Sequence, residues 1–265
     1  MTDADRTFAF GKGVEFGRTA ADYRQFRAGF PDSFFEQLSN RGLARAAERA
    51  LDLGTGTGSV ARGLSRLELS VVGLDPAAEL LAEARKLDRA AGVKVEYVTG
   101  RAEAVGFPEA SFDLVTAGQC WHWFDRAAAA KESARVLRRQ GRLVIAHFDW
   151  LPLDGNVVEA TETLILKYNP AWSMSGGTGI YPEWLRDLAR AGFSRLETFS
   201  YDTEQAYSHE SWRGRIRASA GVRASLDDRK TREFDLELAR LLSSRFSGDP
   251  LIIPHRIWAA VGVRP

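Results

Sequence analysis

The stretch LDLGTGTG, residues 51–58, is the strongest indicator of the fold in this chain. An apolar run from Arg49 ends there in glycines at alternate positions, and apolar residues recur at helical spacing from Ser59 to Leu67. Glycines between a strand and a helix permit a tight turn and let a ligand approach the backbone closely. The stretch therefore predicts a ligand-binding loop that follows a strand and opens a helix.

Strands and helices are predicted to alternate on both sides of this loop. The predicted strands are Arg49–Leu53, Ser70–Asp75, Val93–Thr99, Phe112–Ala117 and Arg142–Phe148. The predicted helices are Leu43–Glu48, Ser59–Leu67, Pro76–Ala90 and Arg126–Arg139. Gly141 is expected to break the chain before the fifth strand. Such alternation implies a parallel sheet with helices on both faces and right-handed crossovers.

The pattern changes after Trp150. The later predicted elements are helices at Asn156–Lys167, Pro182–Ala191, 208–220 and 228–246, and strands at Ser194–Tyr201 and Leu251–Val263. No flexible linker is visible, so residues 1–265 are predicted to form a single domain. Residues 151–180 and 205–248 are interpreted as cap insertions around the ligand-binding edge of the sheet.

Composition limits the partners of this chain. Its 265 residues are 45% hydrophobic, which is enough for one sizeable core or a core with a cap. The 36 basic and 35 acidic residues nearly balance, which gives no argument for nucleic acid or a membrane as partner. Cys120 is the single cysteine, and the N-terminus lacks the pattern of a signal peptide. We expect a cytoplasmic protein.

The glycine spacing and one carboxylate indicate which ligand the loop binds. Ser59 stands where the third glycine of a dinucleotide-binding loop would be, and no lysine follows as in a P-loop. A carboxylate at Asp52 would repel a pyrophosphate and attract an ammonium group. S-adenosylmethionine has an amino-acid tail and no phosphate, so Asp52 favours that cofactor over NAD.

Asp75 provides a second candidate anchor at the end of the second predicted strand. A carboxylate at this point can accept hydrogen bonds from two ribose hydroxyls. A strand-end aspartate that caps the next helix is the alternative. The glycine loop one strand earlier favours the ribose role.

Several stretches resemble the class I methyltransferases, and specifically the group called methyltransferase type 11. They are LDLGTGTG, VVGLDPAAELLAEAR, TGRAEAVGFPEASFDLVTAGQCWHWFD and ESARVLRRQGRLVIAHF, within about residues 49–148. The resemblance implies an α/β, Rossmann-like fold: a seven-stranded, mostly parallel sheet with helices on both faces, one antiparallel strand near an edge and a small helical cap. It also implies that S-adenosyl-L-methionine lies across the C-terminal ends of the first strands.

The resemblance assigns cofactor contacts by position. The implied contacts are Tyr23, Asp52, Gly54, Thr55, Gly56, Gly58, Asp75, Pro76, Ala102, Glu103 and Gln119. The three glycines would line the methionine portion above Asp52, and Gln119 would lie beside the sulfonium. Arg101 stands where many relatives have an aspartate, and a guanidinium only donates hydrogen bonds. Adenine contact is therefore expected from the backbone at Ala102.

Two further stretches narrow the resemblance. QCWHWFD at 119–125 is similar to a subgroup that includes the fungal trans-aconitate methyltransferases, and residues 23–31 are similar to its N-terminal motif. In that motif Ala28 and Phe30 replace a proline and a tyrosine. The resemblance implies that residues 1–40 form a lid over the cofactor, and the replacements leave the acceptor open.

His122 is the candidate general base or positioning group, since it follows the fourth strand and an imidazole titrates near neutrality. A turn-capping role is the alternative. The residues expected to contact the acceptor are Trp121, Trp123, His147 and Arg27, with Phe124, Trp150, Trp172 and Trp212 as further wall candidates. Core packing or a surface role is the alternative for each. His209 and His255 are interpreted as cap or surface residues, and no metal site is predicted.

The residues favour an S-adenosylmethionine-dependent methyltransferase that acts on a small molecule at a carboxylate or hydroxyl oxygen. A nicotinamide-dependent oxidoreductase is the first alternative, and Asp52 and Ser59 argue against it. A non-catalytic cofactor-binding protein is the second. A tRNA or DNA methyltransferase is disfavoured because no Asn/Asp-Pro-Pro-Tyr motif follows the fourth strand and no basic extension is present. Oligomeric state stays open.

Overall fold

A computed structural model describes residues 29–223 and 225–265 and contains one seven-stranded sheet. The strands are β1 (Arg49–Leu53), β2 (Ser70–Asp75), β3 (Glu96–Thr99), β4 (Phe112–Gly118), β5 (Leu137–Trp150), β6 (Ser194–Tyr207) and β7 (Leu251–Val263). Their order across the sheet is β3-β2-β1-β4-β5-β7-β6. Strands β1 to β5 pair in parallel, and β7 runs antiparallel to both β5 and β6. The predicted mostly parallel sheet with one antiparallel strand near an edge is confirmed.

Helices cover both faces of the sheet. They are α1 (Asp32–Asn40), α2 (Ser59–Arg66), α3 (Ala78–Ala91), α4 (Arg126–Val136), α5 (Val157–Tyr168), α6 (Trp184–Arg190), α7 (His209–Arg217) and α8 (Asp228–Arg245), with a 3₁₀ turn at Trp121–Trp123. Side chains of a strand alternate between faces. In β5, Leu143 and Ile145 therefore join the apolar layer of α4 and α6, whereas Val144 and Ala146 join that of α1 and α2.

The helix predicted at Leu43–Glu48 is wrong, because the chain forms turns there and the helix lies earlier, in α1. The N–H groups of Leu43 and Ala44 both donate to the carbonyl of Leu38, which closes the end of α1. Gly42 and Ala47 have φ values of 65° and 64°, and the left-handed region interrupts a right-handed helix. The apolar residues of this segment pack against the sheet from turns.

The boundary predicted between the fourth helix and the fifth strand is also wrong. Helix α4 ends at Val136, and β5 begins at once with Leu137, which pairs with Phe112 of β4. Gly141 lies inside β5, where a Cβ would lie 2.8 Å from the carbonyl oxygen of Arg138. The glycine therefore permits a bend in a continuous strand, at the point where the register with β4 shifts.

The two predicted cap segments supply a third apolar cluster. Helices α5, α7 and α8 pack together around Trp212, Ile216, Phe234 and Leu238. The cluster also includes Tyr207 and Ile253, because β6 extends to Tyr207 rather than ending at Tyr201. The cap therefore rests on the extended ends of β6 and β7. No helix within the described part of the chain is long and apolar enough to cross a membrane.

Candidate functional site

The glycine loop between β1 and α2 depends on backbone conformations that favour glycine. Gly54, Gly56 and Gly58 have φ values of 59°, 54° and 79°. A Cβ at Gly54 would lie 2.9 Å from the Cβ of Cys120, so this glycine permits the close approach of the segment after β4. A Cβ at Gly58 would overlap the hydroxyl of Tyr97, so Gly58 packs the loop against β3. The loop is held by tight contacts on two sides.

Asp52 lies beneath the loop and is almost fully buried, with 1% of its surface exposed. Its Oδ2 accepts a hydrogen bond from Thr55 Oγ1 at 2.6 Å, and its Oδ1 accepts one from Thr116 Oγ1 at 2.7 Å. Burial raises the pKa of this carboxyl to about 6, although both hydroxyls oppose the shift. The Asp52 carboxyl therefore has a pKa close to neutral pH, and the hydroxyls of Thr55 and Thr116 that donate to it are uncharged.

Asp75 ties the loop to the end of β2. Its Oδ2 accepts from the backbone N–H of Gly56 at 2.9 Å, and its Oδ1 accepts from the N–H of Ala77, also at 2.9 Å. Burial raises the pKa of the Asp75 carboxyl, and both amides oppose the shift. Each carboxylate oxygen can accept a second hydrogen bond. A ribose contact of Asp75 stays a prediction.

A pocket, named here the glycine-loop pocket, opens above Asp52. It is lined by Gly29, Phe30, Asp52, Gly54, Thr55, Gly56, Thr57, Ser59, Val60, Gly118, Gln119 and Phe148. Phe30 reaches it from the N-terminal segment, and its ring lies 6.0 Å from that of Phe148. The pocket therefore brings together the loop, the end of β4 and the described end of the predicted lid.

Other predicted cofactor residues lie away from this pocket. Gly58, Asp75, Pro76, Ala102 and Glu103 are absent from its lining. Ala102 is 2% exposed within the core layer, and Glu103 Oε1 accepts from the N–H of Asp125 at 3.0 Å, just before α4. Their cofactor contacts stay predictions.

Tyr23 and Arg27 lie outside the described residues. Their predicted roles therefore stay predictions, as does that of residues 1–40 as a lid, of which residues 29–40 are described.

A second pocket, named here the aromatic pocket, adjoins the first and has a volume of about 130 Å³. It is lined by Gln119, His122, Trp123, His147, Asp149, Trp150, Glu162, Trp172, Met174, Gly177, Gly179, Tyr181, Arg215, Ala218, Ser219 and Ala220. Gln119 lines both pockets, has a φ of 62° and donates through Nε2 to the carbonyl of Phe148. The sheet edge supplies one side of this pocket and the cap supplies the other.

A chain of four polar side chains runs along the sheet side of the aromatic pocket. His122 Nδ1 lies 3.2 Å from His147 Nε2, and His147 Nδ1 lies 3.1 Å from Asp149 Oδ2. Tyr181 donates its hydroxyl to the same oxygen of Asp149 at 2.5 Å. If His147 donates from Nδ1 to the carboxylate, its Nε2 accepts from His122 Nδ1, and His122 keeps its unprotonated nitrogen at Nε2.

The charge of Asp149 determines which groups donate and which accept in this series of hydrogen bonds. Burial would raise the pKa of its carboxyl, but His147 and the Tyr181 hydroxyl outweigh burial and lower it to about 2. Asp149 is therefore ionised at neutral pH and accepts from both neighbours. The Tyr181 hydroxyl, by contrast, has a pKa raised by burial and by the adjacent carboxylate, so it stays protonated as a donor.

Three sequence interpretations need correction. Trp121 is fully buried and donates through Nε1 to Asp187 Oδ2 at 3.1 Å, so it packs in the core instead of contacting the acceptor. Trp212 is likewise fully buried and bonds Thr161 Oγ1 at 3.2 Å inside the cap. His255 is buried rather than at the surface, between the rings of Phe148 and Tyr207 in neighbouring strands.

Sequence reasoning placed His122, Trp123, Trp150 and His147 near one another, and all four line the aromatic pocket. It missed Asp149, although the two-residue spacing from His147 puts both on one face of β5 and could have revealed it. Other missed lining residues are Tyr181, Glu162 and Ser219. They come from distant segments, and no local signal marks them.

Part of this chain is similar in sequence to known methyltransferases. Residues 51–145 match the profile of a methyltransferase domain. An uncharacterized methyltransferase of Mycobacterium tuberculosis is 38% identical over 130 residues, which cover 49% of this chain and 50% of that protein. The chain thus matches about half the length of such relatives.

Solved structures extend the likeness over most of the chain. A putative type II methyltransferase from Anaeromyxobacter dehalogenans aligns with a TM-score of 0.62 and 22% identity, over 90% of this chain and 97% of that one. Phosphoethanolamine N-methyltransferase 2 of Haemonchus contortus, in complex with phosphomonomethylethanolamine and S-adenosylhomocysteine, gives 0.56 and 18%, over 95% and 58%. At these identities the likeness establishes the fold.

Proposed function

We propose that this chain, whose residues 51–145 match a methyltransferase domain, is an S-adenosylmethionine-dependent methyltransferase that acts on a hydroxyl oxygen of a small molecule. One observation carries the proposal. The glycine-loop pocket, with Asp52 at its base, and the aromatic pocket, with His122 in its wall, share Gln119. A donor site and an acceptor site must meet in this way, because methyl transfer needs the nucleophile about 3–3.5 Å from the methyl carbon.

The residues of the glycine-loop pocket fit the amino-acid tail of the cofactor. Asp52 offers a buried anion whose present donors are hydroxyls, and a cationic ammonium would stabilise its charged form. Gly54 and Gly56 both line this pocket, and neither carries a side chain. A pyrophosphate would face the Asp52 carboxylate with like charge. The fit therefore favours the sulfonium cofactor over a dinucleotide.

When bound, S-adenosylmethionine supplies a methyl group on a sulfonium sulfur. His122 would take the proton of the acceptor hydroxyl through Nε2. The cofactor would thus supply the methyl group, and the chain would supply the base that takes up the proton released from the acceptor. Trp123 and Trp150 would exclude water from the aromatic pocket during this step.

His147 and Asp149 act as positioning residues for His122. The ionised Asp149 holds the proton of His147 on Nδ1, which orients His147 Nε2 towards His122. The imidazolium that forms on His122 would be stabilised by this anion through His147. A carboxylate acceptor needs no base, so this chain of groups favours a hydroxyl.

Calorimetric titration of the purified protein with S-adenosylhomocysteine and with NADH tests the donor assignment. We expect S-adenosylhomocysteine to bind with a Kd on the order of micromolar, and NADH to show no saturable heat. Saturable NADH binding without S-adenosylhomocysteine binding would assign the chain to the nicotinamide-dependent enzymes instead.

The role of His122 is tested with an acceptor found by screening phenols and carboxylic acids for S-adenosylhomocysteine release. His122→Gln is expected to lower kcat about 100-fold at pH 7, within the range of general-base catalysis, and to leave S-adenosylhomocysteine affinity unchanged. His209→Gln is the matched control, since His209 contacts the carbonyls of Phe246 and Gly248 outside both pockets. An unchanged kcat in His122→Gln would exclude this histidine as the base.

A further inference from the structure

Two buried hydrogen-bond donors line the aromatic pocket on its cap side. Trp172 Nε1 and Ser219 Oγ are buried atoms with no hydrogen-bond partner among the described residues. Both residues line the pocket, and Ser219 is 9% exposed. A buried donor without a partner is costly, and an indole N–H can only donate. A ligand atom that accepts hydrogen bonds would satisfy both groups.

The pocket walls suit one flat ring. Trp123, Trp150 and Tyr181 contribute aromatic side chains to the lining, and Tyr181 is held by stacking on Trp184 at 4.3 Å and 9°. The volume of about 130 Å³ is close to that of a cavity which holds benzene, about 150 Å³. An acceptor with a single aromatic ring therefore fits the pocket.

The polar residues at the two ends of the pocket belong to different layers of the molecule. His122 follows β4 at the sheet edge, whereas Trp172 follows α5 and Ser219 follows α7 in the cap. A ring that spans the pocket would present its reacting hydroxyl to the sheet side and an accepting atom to the cap side.

The charges on the cap side favour a neutral accepting group. Arg215 lines this side with its guanidinium 4.7 Å from the centre of the Trp150 ring, and Glu162 lines it as well. Glu162 accepts from Trp150 Nε1 at 2.8 Å and from the N–H of Gly176 at 2.8 Å, so it is held in place. One cation and one carboxylate leave no net positive charge to select an anion.

We propose that the acceptor is a single-ring hydroxyaryl compound with a carbonyl group, whose hydroxyl lies at His122 and whose carbonyl oxygen accepts from Trp172 Nε1 and Ser219 Oγ. The carbonyl oxygen has two lone pairs and no proton, so one atom serves both donors. This inference rests on the proposed function, because it takes the aromatic pocket as the acceptor site.

The test compares 4-hydroxyacetophenone with 4-isopropylphenol, which has nearly the same shape but lacks the oxygen. Both are titrated into the protein saturated with S-adenosylhomocysteine. We expect the ketone to bind about 10-fold more tightly. Trp172→Phe and Ser219→Ala should each weaken ketone binding about 5- to 10-fold and leave the alkylphenol within about twofold, since each removes one hydrogen bond. Ser173→Ala, an exposed neighbour outside the pocket lining, should change neither affinity.

Three outcomes would overturn the inference. They are equal binding or no binding of the two phenols, equal loss of both ligands in Trp172→Phe and Ser219→Ala, and tighter binding of 4-hydroxybenzoate than of the ketone. The thermal midpoint of each variant shows whether it is folded. If Trp172→Phe does not fold, Ser219→Ala, which is the smaller change, still tests the inference. Failure of wild-type protein to bind S-adenosylhomocysteine is a separate result, which contradicts the proposed function itself.

Discussion

At the scale of single residues, Asp52 is a buried carboxylate that is held by hydrogen bonds without a cationic partner among them. Its two oxygens are held by Thr55 and Thr116, which fix the carboxylate without neutralising it. The pKa of about 6, raised by burial, means that the anion is only marginally favoured at neutral pH. A bound ammonium group would complete the pair. The sequence predicted a cofactor contact for Asp52, because a carboxylate two positions before Gly54 would repel a pyrophosphate.

S-adenosylhomocysteine affinity is therefore expected to depend on pH through Asp52. Binding to the charged carboxylate weakens as pH falls below about 6, by up to about tenfold per pH unit. Asp52→Asn should weaken binding about 10- to 100-fold at pH 7.5, the range for a hydrogen bond to a charged group, and should flatten the profile. Calorimetry between pH 5 and 8 measures both effects.

Asp113→Asn is the control for this measurement, because Asp113 pairs with Arg138 outside both pockets. It should leave the affinity and its pH profile unchanged. A wild-type affinity that is flat from pH 5 to 7 would contradict the role given to Asp52.

At the scale of elements, β1, the glycine loop and α2 form the unit that sequence reasoning predicts best. The strand at Arg49–Leu53 has the predicted bounds, and α2 differs from its predicted end by one residue, Arg66 instead of Leu67. Local signals suffice there, because glycines in the left-handed region mark the turn. Local signals fail at Val136 and Leu137. The arginine- and leucine-rich sequence there predicts a helix, but Leu137 pairs with Phe112 and begins β5.

Substitution of Gly54 in this unit and of Gly92 after α3 separates backbone strain from close packing. Gly54 and Gly92 both have positive φ, 59° and 66°, but a Cβ at Gly92 would meet nothing within 4 Å. Gly92→Ala should cost about 1–2 kcal/mol of unfolding free energy and keep S-adenosylhomocysteine affinity. Gly54→Ala should cost more and weaken affinity at least about 10-fold, because the new Cβ displaces Cys120 from the loop.

Urea unfolding and calorimetry of the two glycine variants provide the measurements. Equal stability losses in both variants, with affinity retained in Gly54→Ala, would mean that the contact with Cys120 does not shape the pocket.

At the scale of the whole molecule, the sheet and the cap meet around His255. This residue lies in β7, packs between Phe148 of β5 and Tyr207 of β6, and places Nδ1 3.0 Å from the carbonyl of Ile253. Burial, with a smaller effect of Arg215, lowers its pKa to about 4. No local pattern marks this environment, because it is defined by partners in β5 and β6 that lie far along the chain.

His255 should make the molecule less stable in mild acid. Between pH 6.5 and 4 the unfolded chain binds a proton at this imidazole that the folded state rejects, so stability is lost as pH falls. From pH 7 to 4.5 the loss due to His255 is about 2 kcal/mol. Asp52, whose folded pKa is raised, acts in the opposite direction between about pH 6 and 4.

The difference between wild type and His255→Gln isolates the histidine, since Asp52 is common to both. The free energy of unfolding in urea at pH 7 and 4.5 should fall by about 2 kcal/mol more in wild type than in the variant. Parallel pH dependence of the two proteins would show that His255 is accessible to protons in the folded state.

Sequence reasoning predicted part of the lining of each pocket, and spacing along the chain explains which part. Asp52, Gly54 and Gly56 lie within one turn of chain, so their spacing alone brings them together. The aromatic pocket is lined by His122 from the sheet edge and by Ser219 from the cap. Such contacts depend on tertiary packing, and only a pair on the same strand, such as His147 and Asp149, leaves a readable spacing.

Gln119, the residue common to both pockets, has a kinetic consequence. Its left-handed backbone and its bond to the Phe148 carbonyl give it one orientation, so a ligand that moves it in one pocket alters the other. If the cofactor and the acceptor of the proposed function are coupled through Gln119, reciprocity requires that each ligand change the affinity of the other by the same factor. Inhibition of turnover by S-adenosylhomocysteine should accordingly vary with acceptor concentration, and an alanine at position 119 should make the two ligands bind independently.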